Sequence, residues 1–415
     1  MSQKAKKIII ITTVVILVVA IGIGVFLGLR KSGQVIITLP GGKQLPIGPS
    51  GAGTQRPTLF GEPQENDDPA ALQEQQKQRL TALSSKPVVD FWVVWDGSTS
   101  TVPQVLYIDS KGEVGHIVNP GEEKTITTSS FGTPLKVVQN IDGSKVITAF
   151  DSGTYALFDT AAGAWQNLGM GIEAAAFAPD GERFAYLNRE GTKVSLIIND
   201  FSKGASKLTR VASLALQDFG LLWPHPDNIM LMPKMSYRVF DRMWAFDLST
   251  KQLSQLDAGK ALGYVFSPDM SLGLRFESAD PSRLTATVVD ADGRRSNALP
   301  FSTLPDKCVF DWFEPAAYCA VPYSFNKEFS LRLPDDYYMR AVYFNDDLYK
   351  ITINTDGETF TPVFNVPSVT LDAVHLKVAG PYLFFLNRLD QKVYRLELTP
   401  QEPSPQEPSP QESSY

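Results

Sequence analysis

Apolar and polar positions alternate in short runs along most of the chain, a pattern typical of β-strands that bury one face. Between residues 87 and 398 the runs form a weak repeat. Each unit has a strand ending in a turn, a second apolar strand, a hairpin, and a third strand that ends near an acidic residue. Residues 177–187 (FAPDGERFAYL) and 266–276 (FSPDMSLGLRF) show its first half most clearly. Pro, Asp and Gly favour such a turn, so we predict one repeated, turn-rich β unit.

The second half of the unit occurs seven times, and its spacing indicates the architecture. The third strands of the first five copies end at Asp109, Asp159, Asn199, Asp247 and Asp290. Repeats of about 40 to 50 residues with four short strands are typical of β-propeller blades. We therefore predict an all-β fold, a six- or seven-bladed β-propeller. We predict that the first unit, 91–118, lacks an innermost strand and that the last stops after three strands, so we expect strands from both ends to close the ring.

Residues 8–29 form an uncharged apolar stretch. As a helix it would rise roughly 33 Å, enough to cross a bilayer core of about 30 Å, so we predict a single transmembrane helix. Three lysines precede the stretch and only Arg30 and Lys31 follow it, which places the N-terminus in the cytoplasm and the propeller outside. No small-x-small cleavage site follows, which favours an uncleaved membrane anchor over a signal peptide.

The remaining segments differ in composition. A Gly- and Pro-rich stalk precedes a stretch of helix formers, and a PQEPS repeat ends the chain, with nothing to bury. The predicted organisation is a cytoplasmic stub (1–7), a transmembrane helix (8–29), a flexible stalk (30–66), a short helix (67–84), the β-propeller domain (85–398) and a disordered tail (399–415).

Charge narrows the classes of partner. The 415-residue chain has a net charge of −7, and its first 31 residues carry five basic and no acidic side chains. Residues 32–415 therefore carry a more negative net charge than the whole chain. An acidic chain repels nucleic acid, so we expect no nucleic-acid partner.

The FxPDGxxxAY pattern at 177–186, with its echo at 266–276, resembles the WD-like repeats of the TolB propeller family and of the propeller domain in prolyl oligopeptidases. The overall layout resembles uncharacterised membrane-anchored envelope propeller proteins of candidate-phylum bacteria (Patescibacteria). The segments that carry this second resemblance are 84–93, 307–322, 334–351 and 383–398. The resemblance implies an extracytoplasmic propeller and transfers no catalytic residue. The chain departs from TolB in its predicted membrane helix and in lacking a small N-terminal α/β domain.

The two cysteines, Cys308 and Cys319, lie eleven positions apart on predicted neighbouring strands. In an oxidising compartment we expect them to form a disulfide, the alternative being two buried thiols. No CxxC pair is present, and the three histidines, His116, His225 and His375, fall in different units. We therefore expect no metal site and no cofactor.

Aromatic and histidine side chains in long connections are the candidate binding residues, because exposed aromatics often contact protein or glycan partners. The two connections are 222–238 and an insertion at 326–343. The alternative is that these side chains pack between blades or lie singly on the surface. The candidates are Trp223, His225, Tyr337 and Tyr338.

The sequence contains no G-x-S-x-G and no H-E-x-x-H motif, so we assign no catalytic residue. The favoured hypothesis is a membrane-anchored extracytoplasmic module that binds proteins or glycan of the bacterial envelope without catalysis. The alternative is an envelope glycan- or peptide-processing enzyme with Glu314, Asp346 or Asp347 at the propeller channel. The non-catalytic alternative for Asp346 and Asp347 is that they are solvated turn residues.

Overall fold

A computed structural model describes residues 35–38, 44–47, 69–98, 102–201, 206–215, 218–291, 293–323 and 331–398. The chain divides into two compact units, Met1–Thr58 and Leu59–Tyr415. In the first, β1 (Val35–Thr38) pairs antiparallel with β2 (Gln44–Ile47). The predicted membrane helix at 8–29 and the predicted tail lie outside the described residues. Among the residues that are described, no helix is both long and apolar enough to cross a bilayer.

The second unit is a β-propeller of seven four-stranded antiparallel sheets, which confirms the predicted fold and sets the number of blades at seven. The strands of each blade follow, from the innermost to the outermost. Blade 1 is β4 (Asp90–Val94), β5 (Gln104–Ile108), β6 (Glu113–Asn119) and β7 (Glu122–Thr128). Blade 2 is β8 (Pro134–Gln139), β9 (Lys145–Phe150), β10 (Thr154–Asp159) and β11 (Ala164–Met170). Blade 3 is β12 (Ile172–Phe177), β13 (Arg183–Glu190), β14 (Lys193–Asp200) and β15 (Lys207–Leu214).

The same order continues around the ring. Blade 4 is β16 (Phe219–His225), β17 (Asn228–Pro233), β18 (Phe240–Asp247) and β19 (Leu253–Lys260). Blade 5 is β20 (Gly263–Phe266), β21 (Leu272–Asp280), β22 (Arg283–Asp290) and β23 (Arg295–Ala298). Blade 6 is β24 (Cys308–Phe310), β25 (Ala316–Pro322), β26 (Asp346–Asn354) and β27 (Gly357–Phe364). Blade 7 is β28 (Ala373–Ala379), β29 (Tyr382–Asn387), β30 (Lys392–Glu397) and β3 (Leu80–Ala82).

Strands from the two ends of the propeller close the ring, as predicted, but the helix predicted at 67–84 ends at Arg79 and the closing strand β3 follows it. β3 pairs with β30 and completes blade 7, with Leu80 opposite Leu396. The helix α1 (Pro69–Arg79) precedes β3, and the Arg79 guanidinium donates to the Val363 carbonyl over 2.7 Å in blade 6. The expectation that the first unit lacks an innermost strand is wrong, because β4 occupies that position.

The core lies between blades, because each sheet buries apolar side chains on both faces. All seven residues of β25 are buried. Between blades 1 and 2, the Trp92 ring meets the Phe158 ring edge-on at 5.8 Å. A single blade would leave such surfaces in water, so the closed ring is the unit that buries them.

The seven innermost strands all run in the same direction along the axis of the ring, which gives the ring two distinct faces. The hairpins that leave these strands lie at one face, which we call the hairpin face. The connections that lead into them lie at the other, together with the long connection between β25 and β26 in blade 6. We call its residues 331–345 the insertion and their side of the ring the insertion face. The insertion contains one short helix, α2 (Asp335–Tyr338).

Candidate functional site

A central channel of about 1220 Å³ runs between the blades. The innermost strands of all seven blades contribute to its wall. Much of this wall is apolar, with alanines from β12, leucines from β16, and Tyr264 and Phe266 from β20. Apolar cavities of this size that carry a few polar groups are typical ligand sites.

The insertion lies across the mouth of the channel at the insertion face. Asp335 at the start of α2 accepts hydrogen bonds from the Ser236 hydroxyl and the Tyr237 amide of blade 4, each 2.7 Å long. The Leu333 amide donates over 2.6 Å to the Pro281 carbonyl of blade 5. Tyr338 lines the channel from this side. The insertion therefore spans from blade 6 to blades 4 and 5 and restricts this mouth.

A buried ion network fixes the base of the insertion. Lys307 is fully buried, and its Nζ lies 2.5 Å from Oδ2 of Asp346 and 2.6 Å from Oδ1 of Asp372. Burial raises the pKa of Asp346 to about 6, while Lys307 opposes that rise. One oxygen of Asp346, Oδ1, has no hydrogen-bond partner among the described residues. The network joins the connection before β24, the start of β26 and the connection before β28.

Tyr337 connects α2 to this network. Its hydroxyl donates to Oδ1 of Asp372 over 2.7 Å, and the Arg388 guanidinium lies 3.8 Å from its ring centroid. The ring also stacks on Phe344, with 5.0 Å between centroids. Burial raises the pKa of Tyr337, so its hydroxyl keeps its proton and acts as a donor.

The mouth at the hairpin face is not crossed by the insertion, and its hairpins expose both apolar and acidic side chains. Three large side chains of the hairpins there are exposed: Ile141 by 47%, Trp312 by 40% and Phe313 by 68%. Trp95 packs edge-on against Phe313, with 5.9 Å between ring centroids. Exposed aromatic rings beside a cavity are typical of a binding surface.

Carboxylates surround the same mouth. The seven hairpins that follow the innermost strands contain eight acidic residues and no lysine or arginine. We call this set the acidic rim. Its members are Asp96, Asp142, Asp180, Glu182, Asp227, Asp269, Asp311 and Glu314.

A polar cluster lies where blades 7, 1 and 2 meet. The Asp90 carboxylate lies 2.9 Å from Nδ1 of His375 and accepts a hydrogen bond from the Val137 amide over 3.1 Å. His375 has a left-handed backbone, with φ of 54°, at an irregularity in the pairing of β28 with β29. Such an irregularity redirects a side chain. Burial alone would lower the pKa of His375, but the Asp90 carboxylate raises it.

The raised pKa of His375 predicts a pH dependence of stability. A histidine with a raised folded-state pKa contributes stability below its unfolded value, and that stability is lost as pH rises through the folded pKa. The unfolding free energy lost in His375→Gln should therefore be largest below about pH 6.5 and shrink at higher pH. Because the side chain is 38% exposed, we expect less than about 1 kcal/mol. Urea unfolding of both proteins from about pH 5 to about pH 9 measures it.

His116 provides the matched control. Its pKa is lowered by burial, so the His116→Gln variant should become more stable relative to the wild type as pH falls. Equal pH profiles for the two variants would contradict the assignment of His375 to an ion pair with Asp90.

The structure confirms the predicted disulfide. Cys308 and Cys319 are bonded and lie directly opposite each other on β24 and β25. Both residues belong to the cluster of apolar side chains between blades 5 and 6. The bond therefore fastens the innermost strand of blade 6 to its neighbour.

The four candidate binding residues fall at two different ends of the channel. Trp223 is 2% exposed and packs between blades 3 and 4, with the Arg183 guanidinium 5.1 Å from its ring centroid. The His225 side chain is 57% exposed at the hairpin face. At the insertion face, Tyr337 is 2% exposed and Tyr338 is 41% exposed. Trp223 and His225 therefore lie near one end of the channel and Tyr337 and Tyr338 near the other, so the four residues do not form one site.

The carboxylates of the enzyme hypothesis also lie apart. Glu314 is in the hairpin after β24 and pairs with Lys350. Asp346 lies opposite Pro322, at the other end of the β25–β26 ladder. Asp346 and Asp347 are 1% and 3% exposed, so the interpretation as solvated turn residues is wrong.

Sequence reasoning missed the residues that define the open mouth. Ile141 and Phe313 stand beside turn acids, and each such hairpin looks like an ordinary corner in the sequence. The recurrence of an acidic residue in six of the seven hairpins was the available signal. This recurrence indicates a shared acidic surface only once the fold places the hairpins around one mouth of the channel.

Comparisons with solved structures support the architecture. The β-propeller domain of Cps50 (Swd1) from Myceliophteria thermophila matches with a TM-score of 0.50 and 10% identity, over 77% of this chain and 100% of that one. An oligogalacturonate lyase in complex with manganese matches with a TM-score of 0.51 and 12% identity, over 77% and 91%. TolB from Acinetobacter baumannii matches with a TM-score of 0.40 and 12% identity, over 74% and 63%.

No protein-family model and no curated protein matches the chain. At 10% to 12% identity the first two likenesses show the fold alone. The fold and its channel therefore define a seven-bladed β-propeller that is open at one face.

Proposed function

We propose that the protein is a membrane-anchored binding module of the bacterial envelope, which receives a partner at the open mouth of its channel and performs no catalysis. The observation that carries the proposal is the difference between the two mouths. The insertion lies across one of them, whereas the other is not crossed by it and presents Ile141, Trp312 and Phe313 from the hairpins of blades 2 and 6. A rigid ring holds such hairpins in fixed positions, which favours binding to a preformed surface.

The proposed location combines two observations. The apolar stretch at 8–29 supplies the anchor, and the lysines before it orient the propeller outward. The Cys308–Cys319 bond suits an oxidising compartment outside the cytoplasm.

Site-specific photo-crosslinking in the native cells tests the proposal. A photo-reactive p-benzoylphenylalanine replaces Phe313 at the open mouth, in the full-length protein. The matched control replaces Phe240, which is 66% exposed, compared with 68% for Phe313, and begins β18 at the insertion face. We expect a discrete crosslinked species from position 313 and none from position 240. Equal crosslinking at both positions, or none at 313, would overturn the proposal.

A second candidate function is an enzyme that acts on envelope glycan or peptide. The observation that favours it is the Asp90–His375 pair, because a histidine held by a carboxylate can act as a general base. Products released from isolated envelope glycan or peptide by the full chain, and lost in the His375→Gln variant, would support this candidate.

A further inference from the structure

Resting on the proposed function, we infer that the partner is a protein segment that presents lysine or arginine side chains around an apolar residue. The apolar residue enters the open mouth, and the basic side chains meet the acidic rim. Two independent features of the mouth carry the inference, one apolar and one electrostatic.

The apolar feature is the channel itself. Its apolar wall is continuous with the exposed rings of Trp312 and Phe313, so an apolar side chain that enters there would be removed from water.

The electrostatic feature is that the rim carries more negative charge than its turns require. In five hairpins an aspartate Oδ1 accepts a hydrogen bond from the amide two residues later. Asparagine closes such a turn equally well and adds no charge. All five positions are nevertheless aspartate: Asp96, Asp142, Asp180, Asp269 and Asp311.

Two of these groups have lowered pKa values. At Asp142 burial would raise the pKa, but hydrogen bonds from Ser144 and Asn140 outweigh it. At Asp269 hydrogen bonds from Ser267 and Ser271 lower the pKa. Both carboxylates are therefore charged at neutral pH.

The rim keeps an excess of negative charge after its neighbours are counted. Arg183 pairs with Asp180 and Lys350 pairs with Glu314, so two cations pair with rim acids, of which there are eight. Lys145, which follows the hairpin of blade 2, pairs with Asp159 outside the rim, and Lys136, Lys234 and Lys377 line the channel. At the rim itself an acidic segment would meet mostly like charges, whereas a basic one would be attracted before contact. The mouth therefore selects for a cationic partner.

Peptide binding to the full-length protein in detergent tests the inference. Three fluorescent peptides share a Leu-Trp-Leu core and differ only in their flanks, which are lysine, serine or glutamate. Fluorescence anisotropy should show the lysine peptide binding at least about tenfold more tightly than the serine peptide, and the glutamate peptide most weakly. The difference should largely vanish when salt shortens the Debye length from about 10 Å to about 3 Å.

A charge-neutralising variant locates the effect. The double variant Asp142→Asn, Asp269→Asn keeps both turns and removes two rim charges. It should weaken the lysine peptide by about fivefold and leave the serine peptide unchanged. The matched control, Asp241→Asn with Asp280→Asn, removes two charges at the insertion face and should change neither.

The outcomes separate this inference from the proposed function. Equal affinity for all three peptides, with binding lost in Phe313→Ala, would leave the binding mouth in place and overturn the basic partner. No binding of any peptide, together with no crosslink from position 313, would overturn both. Displacement of the lysine peptide by a glucosamine oligomer that binds more tightly would replace the protein segment with a glycan.

Discussion

Replacement of Lys307 with methionine is expected to destabilise the propeller by about 3–5 kcal/mol. Lys307 is the buried cation that faces both Asp346 and Asp372, and methionine keeps its length while leaving two carboxylates without it. Urea unfolding of the full chain, followed by tryptophan fluorescence, measures the loss. Limited proteolysis within the insertion should accelerate in parallel, because the network fixes its base.

The pH dependence of this loss distinguishes charge from packing. Without Lys307 the pKa of Asp346, already about 6, should rise further. Asp346 of the variant then favours folding only when protonated, so the deficit should shrink as pH falls toward about 6, where Asp346 becomes protonated in the wild type as well. The control is Lys350→Met in the same blade, whose pair with Glu314 is exposed and should contribute less than about 1 kcal/mol. A deficit in Lys307→Met that does not change with pH would contradict this account.

Removal of the disulfide in the double variant Cys308→Ala, Cys319→Ala is expected to cost about 3 kcal/mol. The bond closes a short loop, and without it the unfolded chain regains the freedom of that loop. Alanine avoids burying two hydroxyl groups in the cluster between blades 5 and 6. The measurement is the urea unfolding free energy of the oxidised wild type and of the variant.

Reduction of the wild type provides an independent route to the same state. The reduced protein unfolded in the presence of a thiol should show a similar loss of free energy. A loss below about 1 kcal/mol in both would mean that the bond adds little to the contacts around it.

Local patterns in the sequence predicted the repeated part of the fold. Alternating strands and Pro-Asp corners define blades 3 and 5, and the eleven-residue step between the cysteines matches two strands joined by a turn. The innermost strand of blade 1 was missed because most of β4 lies in an unbroken apolar run at 91–95 (FWVVW), and the Asp-Gly that follows lacks the proline of the clearer corners.

The candidate site depends on contacts between distant parts of the chain, which no local pattern contains. Lys307 and Asp372 are 65 residues apart, and Ser236 and Asp335 are 99 apart. Asp346 follows asparagine and precedes a second aspartate, a context typical of an exposed turn. Only the packing of three connections at one face makes it a buried residue.

The closure of the ring also determines when the molecule can be completed during synthesis. β3 is synthesised early, but its partner β30 is the last strand of the propeller. The Ser84 hydroxyl accepts a hydrogen bond from the amide of Val393, which is synthesised 309 residues later. Contacts so distant in sequence form slowly. Until the ribosome releases β30, β3 has no partner and β29 exposes an edge that can pair with another chain. A stalled or shortened product would therefore be an open ring, prone to aggregation and accessible to proteases.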